Sequence, residues 1–159
     1  MKRRELFSSL VSSFKKDEKQ EKIIRPPYFK DEDIFFTNCK DCEGLCATVC
    51  EENIIFIQED FTPKLDLSFS GCTYCNECAI ACPNEVLQVE HKKNINAKIE
   101  IDILNCLSWN KTMCFSCKDP CLDNAIDFLA MFRPSINSNC TACGFCIKSC
   151  PTNAIKIIS

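Results

Sequence analysis

Cys72-Thr73-Tyr74-Cys75-Asn76-Glu77-Cys78-Ala79-Ile80-Ala81-Cys82-Pro83 has the pattern C-x2-C-x2-C-x3-C-P. In iron–sulfur chemistry three thiolates at such spacing hold one [4Fe–4S] cube, and the fourth ligates a neighbouring cube. One run of this kind therefore implies a second. Three sulfurs two residues apart fit on one tight loop that wraps a cube. A short helix carries the fourth Cys away, and Pro83 turns the chain after it. The absence of His from the run argues against a Rieske centre.

Three further runs repeat the arrangement. The first is Cys39, Cys42, Cys46 and Cys50; the quoted stretch, Cys72, Cys75, Cys78 and Cys82, is the second. The third is Cys106, Cys114, Cys117 and Cys121, and the fourth is Cys140, Cys143, Cys146 and Cys150. After each run the chain repeats itself as CEENIIFI, CPNEVLQV, CLDNAIDF and CPTNAIKI. Each repeat reads as a cluster loop, a helix of a turn or two, and a short strand beginning at an apolar pair: Ile54-Ile55, Val86-Leu87, Ala125-Ile126 or Ala154-Ile155.

Two runs depart from the regular spacing. The first has Glu43-Gly44-Leu45 between its second and third Cys, and Glu51 in place of Pro. A positive φ at Gly44 would absorb the extra residue. In the third run seven residues separate Cys106 from Cys114 and include Trp109, the chain's single Trp, which reads as a cover over a cluster. Tyr74 and Phe145 read as hydrophobic lining, and His91, the single His, as a loop residue.

The chain has 159 residues and 16 Cys, so its 46% hydrophobic content leaves a thin apolar core. Small domains of that kind need staples. Cys in groups of four with C-x2-C pairs suit metal thiolates in a reducing compartment better than disulfides, because close neighbours close only short loops. Zinc hooks need a longer connection between pairs than the regular runs allow. No Gly-rich nucleotide fingerprint or nucleophile–base set is present, so the chemistry is one-electron transfer or custody of clusters, not catalysis.

The net charge of −3 conceals an asymmetry. Residues 1–30 carry nine Lys/Arg against four Asp/Glu, and residues 31–159 carry ten against eighteen. Each cube with four thiolates adds roughly two negative charges. An acidic body with a basic arm suits docking on a protein and argues against nucleic acid. No apolar run is long enough to span a membrane. In the arm, Leu6, Phe7, Leu10, Val11 and Phe14 form one stripe of a short amphipathic helix. The charged run from Lys15 to Lys22 reads as a linker, and Ile24-Arg25-Pro26-Pro27 as an extended segment.

The expected architecture is α+β: two ferredoxin-like units built on four [4Fe–4S] cluster repeats, preceded by a partly flexible N-terminal arm, residues 1–30, ahead of a body, residues 31–159. Connections of 21, 23 and 18 residues between successive runs allow sequential pairing, with units at 31–95 and 96–159, or nested pairing of runs one with four and two with three. Sequential pairing is the working expectation.

Arg3-Arg4, Leu6-Phe7, Ile24-Arg25-Pro26-Pro27, the four Cys groups, the seven-residue gap of the third group and Phe132-Arg133 together resemble the NapF ferredoxin-type proteins of periplasmic nitrate reductase systems. The extra residue in the first run departs from the family spacing. The resemblance implies a cytoplasmic accessory protein with four [4Fe–4S] clusters. It would bind the catalytic molybdenum subunit of the nitrate reductase before export and assist its maturation. The twin-arginine-like start would not direct export, in keeping with the missing apolar region after it. The alternative is an electron-transfer polyferredoxin serving a nitrate reductase, a quinol-oxidising complex or other redox subunits.

Overall fold

Repeats with the same turn residues fold alike, and the computed structural model, which describes residues 22–159, shows where they diverge. The apolar stripe expected at Leu6 to Phe14 lies outside the described residues. The elements are α1 (Asp33–Asn38), α2 (Leu45–Thr48), β1 (Ile55–Ile57), β2 (Pro63–Leu65), α3 (Glu77–Ile80), a 3-10 turn (Val89–His91), β3 (Lys98–Ile101), β4 (Ile126–Leu129), β5 (Phe132–Ile136), α4 (Phe145–Ser149) and β6 (Ile155–Ile158).

Helices α2, α3 and α4 carry the third Cys of runs one, two and four toward the fourth. Run three has turns there instead. The reason is Pro120. Its counterparts Val49 and Ala81 donate their N–H to the carbonyls of Leu45 and Glu77 at 3.1 and 2.9 Å, a bond that proline cannot make.

Strands follow the apolar pairs in three repeats, each beginning at the second member, Ile55, Ile126 or Ile155. Hairpin β1–β2 lies between runs one and two, with Ile55 opposite Leu65. Hairpin β4–β5 lies between runs three and four, with Ile126 opposite Ile136. Strands β3 and β6 pair antiparallel, Lys98 opposite Ile158, and close the second half end to end.

No strand follows Val86-Leu87, although both residues are buried. Their half closes instead on residues 24–29. Leu65 donates its N–H to the Ile24 carbonyl at 2.7 Å, Gln88 to Tyr28 at 2.7 Å, and Lys93 to Pro27 at 2.9 Å. Pro26 and Pro27 have no N–H to return, so a ladder cannot form.

Packing with the body thus begins at Ile24, which is partly buried against the core, rather than at residue 31, and Arg25, Tyr28 and Phe29 are all buried. Arg25 lies over the Phe35 ring at 4.9 Å. Its Nη1 donates to Thr62 Oγ1 at 2.7 Å and to the Pro63 carbonyl at 2.6 Å. The Thr62 hydroxyl in turn donates to Asp60 at 2.7 Å, which draws a carboxylate toward the buried cation.

The core alternates such aliphatic and aromatic residues with thiols. Cys46, Cys78, Cys117 and Cys146, the third Cys of each run, are all buried. Among the described residues no helix is long and apolar enough to cross a membrane.

Candidate iron–sulfur sites

The Cys side chains gather into four sets of four, each around its own cavity. Cys39, Cys42 and Cys46 of run one share a cavity with Cys82, the last Cys of run two. Reciprocally, Cys72, Cys75 and Cys78 share one with Cys50. In the second half Cys140, Cys143 and Cys146 meet Cys121. Cys106, Cys114 and Cys117 meet Cys150, despite the long gap in their run. Neighbouring runs therefore exchange their fourth Cys, and the nested alternative is not what the chain adopts.

Each set is held by backbone that bends the same way. Two residues before the third Cys of runs one, two and four, Gly44, Asn76 and Gly144 have φ of 72°, 71° and 92°. The positive φ at Gly44 is thus common to the loops and does not absorb an insertion. The extra residue is Glu43, which loops into solvent. A second left-handed position falls three residues after the fourth Cys, at Asn53, Glu85, Asn124 and Asn153, with φ between 49° and 53°. Asn tolerates that region better than most residues. Each closes a turn onto the carbonyl of the fourth Cys, at 3.0 to 3.4 Å.

That turn aims backbone N–H groups at sulfur. Ala125 donates to Cys121 Sγ at 3.2 Å, Ala154 to Cys150 Sγ at 3.2 Å, and Leu87 to Cys82 Sγ at 3.5 Å. Such donors stabilise a thiolate. At Cys150 burial raises the thiol pKa, but the N–H groups of Thr152 and Ala154, the Thr152 hydroxyl and the Ile155 N–H outweigh it and hold it below its ordinary value. At the buried third Cys of runs one, two and four burial wins. It pushes Cys46, Cys78 and Cys146 up to about 12, with neighbouring thiols adding to the effect. Those thiols give up their protons when a metal binds, so loading releases protons.

The donor set fits a [4Fe–4S] cluster at each site, with one thiol for each iron. Among the described residues no three Cys, His, Asp or Glu side chains are placed to hold a metal ion directly. The thiols instead stand four to a shared cavity, as the ligands of a group larger than one ion would. Two hydroxyls strengthen the fit. Tyr28, lining the second-run cavity, and Ser108, lining the third-run cavity, are each only 1% exposed, and neither hydroxyl proton has an acceptor. A buried hydroxyl left unpaired costs about 1–3 kcal/mol, so an acceptor belongs in the adjoining space. The third orphaned atom, Asn76 Oδ1, is an acceptor and lines none of the four cavities. Burial first, then the thiols of Cys72 and Cys78, raise the Tyr28 pKa well above that of an ordinary phenol, so it keeps its proton.

The two halves meet where run two touches run four. Cys72 donates its N–H to the Cys143 carbonyl at 2.7 Å. The Tyr74 hydroxyl donates to the Thr141 carbonyl at 2.6 Å and accepts from the Ile95 N–H at 3.1 Å. Tyr74 is thus a polar strut between the halves, partly buried against the core, and lines none of the four cavities. A Cβ on Gly71 would stand 2.6 Å from the Phe145 nitrogen, so glycine is what lets Phe145 seat there.

Two other aromatic and imidazole positions differ from expectation or lie aside. Trp109 is not among the cavity residues. Its indole N–H donates to the Pro134 carbonyl on β5 at 3.1 Å and ties the long loop of run three to a hairpin, while Leu107 and Ser108 face the site. His91 lies 3.8 Å from Glu90 and lines none of the sites.

Residues 38–86, spanning runs one and two, match the 4Fe-4S dicluster domain family, and residues 135–156, spanning run four, match the 4Fe-4S binding domain family. Run three falls outside both matches. The chain is 34% identical over 137 residues to the ferredoxin-type protein NapF of Escherichia coli strain K12, covering 83% of this chain and 82% of that one. It is 34% identical over 155 residues to the ferredoxin-type protein NapF of Haemophilus influenzae, covering 94% and 87%. It is also 30% identical over 125 residues to one component of the Na(+)-translocating ferredoxin:NAD(+) oxidoreductase complex of Acetobacterium woodii, covering 71% of this chain and 35% of that component. On the strength of the cysteine arrangement and of this likeness along most of its length, the chain belongs to the NapF ferredoxin-type family.

Proposed function

We propose that this protein carries four [4Fe–4S] clusters on its sixteen Cys and acts in the cytoplasm as a non-enzymatic accessory to the catalytic molybdenum subunit of periplasmic nitrate reductase, assisting its maturation before export. The observation that carries the four-cluster reading is the reciprocal exchange of fourth cysteines, Cys50 for Cys82 and Cys121 for Cys150, which gathers the sixteen thiols into four sets of four. The partner follows from the family resemblance. The basic N-terminal residues, set against an acidic body, supply a docking charge for it.

The test is an anaerobic pull-down from cells expressing the nitrate reductase catalytic subunit, with iron and sulfide analysis of the bait. Full iron loading with capture of the unexported subunit supports the maturation role, and loss of capture on removing residues 1–21 would assign the docking to the basic arm. That truncation stops short of Arg25 because Arg25 belongs to the core.

The second reading is an electron carrier, favoured by the likeness to one component of a redox complex and by the direct bond between runs two and four, which sets two sites side by side across the halves. Full loading without capture, joined to rapid reduction by a quinol-linked partner, would select it.

A further inference from the structure

Tyr28 and Ser108 sit in different halves and come from different kinds of segment, yet share one anomaly. Tyr28 follows the Pro-Pro segment and reaches the cavity of Cys50, Cys72, Cys75 and Cys78. Ser108 lies in the long gap of run three and reaches the cavity of Cys106, Cys114, Cys117 and Cys150. Both side chains are sealed from solvent, and neither hydroxyl proton has an acceptor. The other two cavities contain no such group. The hydroxyl of Thr141 at the fourth-run site is already donated to Asp123 at 2.7 Å, and the first-run site is lined by no hydroxyl side chain.

We infer that the Tyr28 and Ser108 hydroxyls donate hydrogen bonds to sulfur at the second-run and third-run sites and raise the reduction potentials of the clusters held there. The inference rests on the reading that the cavities hold [4Fe–4S] clusters. A hydrogen bond to sulfur favours the reduced cluster, which carries one more negative charge, so the donor moves the midpoint upward. The two units thereby acquire the same asymmetry from unrelated residues, with one site in each pair bearing a sealed hydroxyl that has no acceptor of its own. In the first unit the donor arrives with the Pro-Pro segment, and in the second it is housed by the irregular gap of run three.

The experiment is a redox titration of the full chain with dithionite, which supplies one electron per cluster, followed by electron paramagnetic resonance. The signals of the two sites are assigned by their disappearance in Cys75→Ala and Cys114→Ala chains. Tyr28→Phe is expected to lower the midpoint of the second-run site alone, and Ser108→Ala that of the third-run site alone, while Ser108→Thr keeps the original value. Full iron content with all midpoints unmoved would overturn the inference. Should a variant lose iron, the Fe–S stretching bands of the unaltered protein are compared in H2O and after brief transfer to D2O, which exchanges hydroxyls ahead of the protected backbone N–H groups that also reach sulfur: a prompt shift supports hydroxyl donation, and no prompt shift refutes it. A chain that takes up no iron and sulfide would instead refute the cluster reading itself.

Discussion

Replacing Gly71 with Ala should part the two halves where runs two and four touch. The added Cβ would lie 2.6 Å from both the backbone nitrogen and the Cγ of Phe145, and 2.7 Å from Cδ2. The nitrogen belongs to α4 and cannot swing aside as a side-chain tip can, so relief requires the segments to separate. The neighbouring bond from the Cys72 N–H to the Cys143 carbonyl, 2.7 Å long, then stretches beyond useful geometry. Losing it costs about 1 kcal/mol. Overpacking adds about 1–3 kcal/mol. At the lower end, ~2 kcal/mol, the open form becomes about thirtyfold more populated. Amide hydrogen exchange on the loaded protein reads this directly. Peptides across residues 71–74 and 141–145 should exchange about thirtyfold faster, while hairpin β1–β2 is unchanged. Gly44→Ala is the contrast, because its Cβ would meet only the Ile57 side chain and the disturbance stays in run one. Unchanged exchange at Cys72 in a fully loaded Gly71→Ala chain would refute the close-approach argument.

Cys50→Ala should strip the second-run site, not the first. Alkylation followed by mass spectrometry is then expected to label Cys72, Cys75 and Cys78 and to spare Cys39, Cys42, Cys46 and Cys82, and the reverse pattern would contradict the exchange of ligands. Arg25→Met keeps much of the stem over Phe35 but leaves the Pro63 carbonyl without its donor, a loss of about 1–3 kcal/mol. Anaerobic bleaching of the visible absorbance on warming should run faster in that variant, and an equal rate would show that the buried guanidinium does not hold the segment.

Much of the site was legible because cluster ligation is written in spacing. The four runs name the thiols, but connections of similar length leave sequential and nested pairing both open, and only the folded chain brings each fourth Cys to its neighbour's set. The family resemblance also followed from features along the chain rather than from the Cys runs alone. Other features were present in the letters but take their meaning only from the fold. The Asn three residues past the fourth Cys occurs in three of the four tails, and its meaning is a left-handed turn that aims N–H groups at sulfur. Pro120 likewise announces the missing helix of run three once it is set beside Val49 and Ala81. Trp109 looked like a cover because large aromatics shield clusters well, but its N–H found the Pro134 carbonyl on β5, a long-range partner that spacing cannot supply. Least legible were Tyr28 and Ser108. Being sealed from water without an acceptor is a property of packing, and nothing local to either residue signals it.

The extended segment at residues 24–28, with two residues that have no N–H and three carbonyls already bonded, has a consequence for solubility. A chain not yet loaded has a weak core, and exposed strand edges in that state invite pairing with another molecule. Pro26 and Pro27 have no N–H to offer, and the carbonyls of Ile24, Pro27 and Tyr28 are already taken by Leu65, Lys93 and Gln88. The first half therefore ends in backbone that satisfies its own chain and gives a foreign strand little to extend.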